Sequence, residues 1–142
     1  MRHKNERGSA LIEVALTLPL LLLVAAGIFE FGRAYQTQQV LTNAVREGAR
    51  VAVLPNQPSG AAATRVTTYL TNGQLPNADT ATVTVTATNI SIGGTTTPGS
   101  RVSVSYPFSF MVLQPVARLV VGSSNLGSAL TMSASAEMRN EQ

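Results

Sequence analysis

The sequence contains no cysteine and no tryptophan, and only one histidine. Without cysteine there is no disulfide frame and no thiolate metal site. His3 and the only lysine, Lys4, both lie within the first four residues. Beyond residue 8 the many serines therefore have no obvious general base. The acids after residue 55 are Asp79, Glu137 and Glu141. Asp79 and Glu137 can meet in a fold, but a carboxylate pair alone is a weak catalytic signal. No phosphate-binding loop and no zinc-ligand spacing is present. Arg65, Arg101, Arg118 and Arg139 are scattered without interleaved aromatics, which argues against nucleic-acid binding. The expectation is a chain that is not an enzyme and takes no cofactor or metal.

Charge is scarce as well. Charged residues make up 12% of 142 residues and hydrophobic ones 44%. A soluble domain usually carries about 25% charged residues. The deficit argues against a freely soluble monomer and against a disordered charged tail. The length suits one domain with a modest core. No internal repeat is visible.

The scarce charge is unevenly placed. Residues 1–8, MRHKNERG, carry Arg2, Lys4 and Arg7 against Glu6. Ser9 to Phe29, SALIEVALTLPLLLLVAAGIF, holds a single charge, Glu13. As a helix these residues span roughly 31 Å, close to the thickness of a bilayer's hydrocarbon core. A basic flank before such a run keeps the N-terminus cytoplasmic and sends the rest across. Pro19 removes the donor that would bond the Ala15 carbonyl, so a kink is expected near Ala15–Pro19.

Three readings of this segment stand side by side. It is a signal peptide cleaved after Val24-Ala25-Ala26, a plain uncleaved anchor, or a segment that uses its one carboxylate. An acid at the centre of a membrane helix costs about 2.5–3.5 kcal/mol on insertion scales. Glu13 lies near the end of the run, where partial snorkelling relieves that cost.

Arg7-Gly8 followed by Ser9-Ala10-Leu11-Ile12-Glu13 and an apolar helix resembles a type IV prepilin N-terminus. The longer stretch SALIEVALTLPLLLLVAAGIFEFGRAYQTQQVLTNAVREGARVAV closely resembles TadE-like proteins, pilins or pseudopilins of tight-adherence (Tad, Flp-type) pilus systems. The terminal SASAEMRNE also resembles that family's last strand. The resemblance implies a leader of residues 1–8, cut between Gly8 and Ser9 by a membrane prepilin peptidase. It implies a bacterial inner-membrane helix with a cytoplasmic N-terminus and the head outside, then a place at a surface pilus or at its periplasmic base. Its implied partners are other pilin subunits (self or a major pilin), the peptidase, an inner-membrane assembly platform and membrane lipid. Ser9 stands where the family commonly has phenylalanine.

Cleavage after Gly8 creates a charged amine on Ser9, about one helical turn from Glu13. In a bundle of such helices Glu13 can instead face the Ser9 amine of a neighbour. A buried unpaired carboxylate is costly, so pairing there sets axial register, as single buried polar groups do in coiled coils.

From Glu30 to Leu54 the helical pattern continues without proline. Val40, Leu41, Ala44, Val45, Gly48 and Ala52 form an apolar stripe. Glu30–Arg33 and Glu47–Arg50 are i, i+3 pairs, read first as solvated helix support and alternatively as inter-subunit contacts. Gly27, Gly32 and Gly48, with Ala25, Ala26 and Ala49, permit close helix approach. Pro55-Asn56-Gln57-Pro58 ends a helix of roughly 69 Å counted from Ser9. Residues 9–29 are its expected transmembrane part and 30–54 its amphipathic part.

Residues 55–142 read as an α+β head. Ser59 and Gly73 bracket a short helix with Ala62, Val66, Tyr69 and Leu70 on one face. The period then becomes two. Ala81, Val83, Val85 and Ala87 alternate with threonines, and the phase slips at Asn89, where a bulge or break is expected. Gly93–Ser100 reads as a loop. Val102 to Val112 alternates with Ser103, Ser105, Pro107, Ser109 and Met111, and Pro107 suggests an edge or a bend. Residues 115–121 read as a helical turn, with Val116, Leu119 and Val120 turned inward. The last strand places Leu130, Met132, Ala134, Ala136 and Met138 on one face. The sum is a long N-terminal helix, one short helix and an antiparallel sheet of three strands or four. The Thr/Ser-rich outer face reads as ordinary strand propensity on a wet surface, or as an adhesive or glycosylated one.

The expected function is that of a pilin-like structural subunit, a minor pilin or pseudopilin, acting by assembly. The rival is an anchored or secreted binding domain whose helix only targets or tethers. Without residues 1–8 the chain carries seven arginines and six acids, a net +1. The basic pI of about 10.0 therefore does not point to an acidic partner.

Overall fold

The computed structural model describes residues 3–115 and 129–140. The first helix, α1, runs from His3 to Ala52 and is continuous through Pro19. The second, α2, spans Ala61–Asn72, and a short 3-10 turn covers Ala78–Thr80. Three strands follow: β1 (Thr82–Ile92), β2 (Thr95–Phe108) and β3 (Leu130–Arg139). They form an antiparallel sheet in the order β1-β2-β3. The chain is α+β, with a long N-terminal apolar helix, a short helix and a three-stranded sheet.

The chain divides into two compact units. One comprises residues 1–33 and 109–128, the other 34–108 and 129–142.

In the second unit, the 3.6-residue period of the amphipathic half of α1 buries Leu41, Ala44, Val45, Gly48 and Ala49, and Val53 just past its end is buried too. From α2 come Ala62, Val66 and Leu70, and from β2 Val102, Val104, Tyr106 and Phe108. Gly48 is where α1 admits its neighbours. A Cβ there would lie 2.4 Å from Val66 Cγ2 and 3.3 Å from Val102 Cγ1. The buried Tyr106 phenol donates to the Pro76 carbonyl, which satisfies its polar end.

Several local expectations need correction. Ser59 does not cap α2; Gly60 occupies that position in the left-handed region, with no side-chain cap bond. Gly73 does close the helix, its N–H donating to Tyr69 O. The expected loop at 93–100 shrinks to Gly93-Gly94, both at positive φ, and β2 already starts at Thr95. A two-residue turn with positive φ at both positions suits the strand twist.

The bulge expected at Asn89 is absent, since register runs unbroken from Thr82↔Ser105 to Ile92↔Thr95. The phase slip puts Ile90 on the face opposite Val83 and Val85. Gly99 makes this tolerable: it is buried, and a Cβ on it would lie 2.6 Å from Ile90 Cδ1. The side chain of Ile90 fills the space that Gly99 leaves empty.

Pro107 belongs to the central strand, yet its missing donor costs no ladder bond. Pro98 O accepts from Asn140 N, so Pro98 points towards β3. By alternation Pro107 points towards β1, which has already ended at the Thr82–Ser105 pair. The helical turn expected at 115–121 lies, from Val116 onward, outside the described residues.

Candidate functional site

The segment that carries the sequence signal is the first half of α1. Gly8 and Ser9 lie inside this helix and are exposed. Glu13 and Pro19 are exposed as well. Every residue from Gly8 to Ala25 is exposed, with Leu11 at 71% and Leu16 at 73%. Ser9 and Glu13 are separated by one helical turn. Among the described residues, no side chain forms an ion pair with Glu13. Next to it, the Thr17 hydroxyl donates to the Glu13 carbonyl at 2.9 Å. The helix is long and apolar enough to cross a membrane. This surface is therefore a contiguous apolar face with one carboxylate near its N-terminal end. A face of that kind marks a membrane or protein contact rather than free solvent.

The apolar run ends at a second carboxylate, and here the structure departs from the sequence reading. The i, i+3 spacing to Arg33 suggests a solvated ion pair, but Glu30 is fully buried at 0% exposure. Its Oε2 accepts from Arg33 Nη1 at 2.7 Å. Its Oε1 accepts from the backbone N–H groups of Met111, at 2.7 Å, and of Val112. Burial alone pushes this carboxyl up. The two backbone donors and the Arg33 guanidinium outweigh burial, and the pKa lies below its ordinary value of 4.5. Sequence reasoning missed this site because its donors lie 81 and 82 positions away and are backbone groups. The available signal was the abrupt end of the apolar run at an acid.

Below Glu30, Val112 lies against the membrane-length run. Together with Pro19, Leu22, Leu23, Ala25 and Ala26 it lines an open apolar cleft of about 500 Å³. Met111 is 65% exposed and Val112 39%.

The remaining candidates resolve into ordinary structure. Glu47 pairs with Arg50 at 3.1 Å and with Arg65 at 3.4 Å, on the surface. Glu137 pairs with Arg101, its register partner across β2 and β3. Hydroxyls on α2 bond back to their own helix: Thr67 to Ala63 O, Thr68 to Thr64 O and Thr71 to Thr67 O. Among the described residues there is no cluster of three or more potential metal ligands.

The family model described as TadE-like protein matches residues 8–50, the stretch whose motifs carried the resemblance. No curated protein and no solved structure matches the chain. The family match suggests a Tad pilus-related protein whose partners belong to a pilus system, and with the apolar helix it suggests membrane anchoring. Over residues 8–50 the chain is similar to TadE-like proteins.

Proposed function

We propose that this chain is a pilin-like structural subunit, a minor pilin or pseudopilin, of a bacterial Tad-type pilus, and that it acts by assembly rather than catalysis. The observation that carries this reading is the exposed apolar helix run from Leu11 to Phe29, whose only charged residue is Glu13, within a segment similar to TadE-like proteins. In this reading a prepilin peptidase cuts between Gly8 and Ser9. The helix first rests in the inner membrane with the head outside. It then leaves the membrane to pack with other pilin helices on an inner-membrane assembly platform. Glu13, near the new Ser9 amine, pairs with such an amine on a neighbour and sets axial register, while Pro19 gives the helix a local bend. Inside a packed bundle the pairing offsets the cost of burying both charges.

The test is Glu13→Gln in the full chain. Membrane insertion should match the unaltered chain, because an amide inserts at no greater cost than a carboxylate. Assembly with other subunits, read by cross-linking or by pilus yield, should fall at least tenfold. Full assembly of Glu13→Gln would contradict the register role.

A further inference from the structure

The apolar run does not end in plain solvent-facing helix. At its last turn the Glu30 carboxylate grips the chain that leaves β2, through the amides of Met111 and Val112. That grip costs little electrostatically, because Arg33 and two N–H groups satisfy the charge. It presents two apolar side chains outward, Met111 at 65% exposure and Val112 at 39%. Ile28, Phe29 and Phe31 are exposed on the adjoining turns of α1. Val112 also closes one wall of the cleft whose other lining residues, Pro19 to Ala26, belong to the membrane-length run. Among the described residues, every one that lines the cleft is apolar.

We propose that Ser109–Val112 is a membrane-interface loop, held by Glu30 so that Met111 and Val112 enter the lipid leaflet on the head's side and the cleft takes a lipid acyl chain. The occupant follows from continuity. The cleft's floor is the segment that matches the hydrocarbon thickness, and Glu30 sits at its boundary, where a charged group meets water and headgroups. A loop with backbone polar groups is tolerated at that depth only where protein satisfies them, and Glu30 supplies two such bonds. The proposal rests on the reading of α1 as a membrane span and adds a second lipid contact to it.

The chain has no native cysteine, so single-cysteine variants of the full chain carry one fluorescent label each. They are placed in phosphatidylcholine–phosphatidylglycerol vesicles and quenched either by acyl-chain nitroxide lipids or by aqueous iodide. Labels at Met111→Cys and Val112→Cys should be quenched by nitroxide at least half as strongly as a label at Leu21→Cys, and shielded from iodide. A label at Thr84→Cys, on the wet sheet face, should show the reverse. In a Glu30→Ala background the Met111→Cys label should lose nitroxide quenching several-fold while Leu21→Cys keeps it. Iodide-accessible loop labels beside a lipid-buried Leu21→Cys would overturn this inference alone. An iodide-accessible Leu21→Cys would overturn the membrane-span reading with it. Shielded loop labels that nitroxide lipids do not quench, together with disulfide cross-links between copies at Val112→Cys, would replace the lipid by a second copy. Unchanged quenching in Glu30→Ala would remove Glu30 from the role.

Discussion

Glu30 shows how a residue acquires a role that its own neighbourhood in sequence does not announce. Beside Arg33 it reads as a surface pair worth a few tenths of a kcal/mol. Buried and bonded to Met111 N and Val112 N, it holds a chain crossing from β2. Glu30→Ala leaves two amides without their acceptor, at about 1–3 kcal/mol for each one buried. Glu30→Gln keeps one acceptor oxygen and should lose less, as read by denaturant unfolding in detergent. The pH dependence has a definite sign. The folded-state pKa lies below 4.5, so the carboxylate's contribution is fully present above that value. It is lost as pH falls through the lower, folded-state pKa. Protection of the Met111 and Val112 amides against exchange, taken relative to their intrinsic rates, should therefore fall below about pH 4.5 in the unaltered chain. In Glu30→Gln, which keeps an acceptor oxygen but does not titrate, that acid step should be absent. Gly48 makes the same point in the core. Helix propensity favours Gly48→Ala by up to about 1 kcal/mol. Yet the new Cβ would lie 2.4 Å from a methyl of the fully buried Val66, an overpacking worth about 1–3 kcal/mol. Net destabilisation in thermal unfolding is the expected result.

At the scale of elements, α1 holds two kinds of small residue that look alike in sequence. Gly48 receives α2 and β2 at close range, whereas a Cβ on Gly27 or Gly32 would meet nothing within 4 Å. The β1–β2 hairpin depends on its turn. Gly93 and Gly94 have φ of 59° and 83°. Gly93→Asn should be tolerated, because asparagine followed by glycine suits such a turn. Gly94→Val should cost about 1–2 kcal/mol or more, measured by denaturant unfolding, because a β-branched residue there is strained. Much of this layer was legible in the sequence. The stripe from Leu41 to Val45 and the alternation of β2 and β3 follow directly from periods of 3.6 and 2. What was not legible depended on distant space. Ile90 stays in register because Gly99, nine residues on, vacates the site it fills. Pro107 sits in a central strand because its neighbour β1 stops two residues short of it.

For the whole molecule, the question is what an exposed apolar helix joined to a small α+β body is for. The prepilin-like motif was fully legible, because glycine, four residues and glutamate before a charge-free run is a local pattern. The Glu30 grip was not, because it joins residues more than eighty positions apart. The central claim is that the chain is a processed subunit that works through its helix, with Ser9 and Glu13 at its working end. It is tested most directly by the N-terminal mass of the full chain recovered from membranes after co-expression with a prepilin peptidase. The account predicts a chain beginning at Ser9, lost when Gly8 is replaced by a bulky residue. A chain beginning near Gly27 would make the segment a signal peptide, and an intact N-terminus would make it a plain anchor; either would contradict the account.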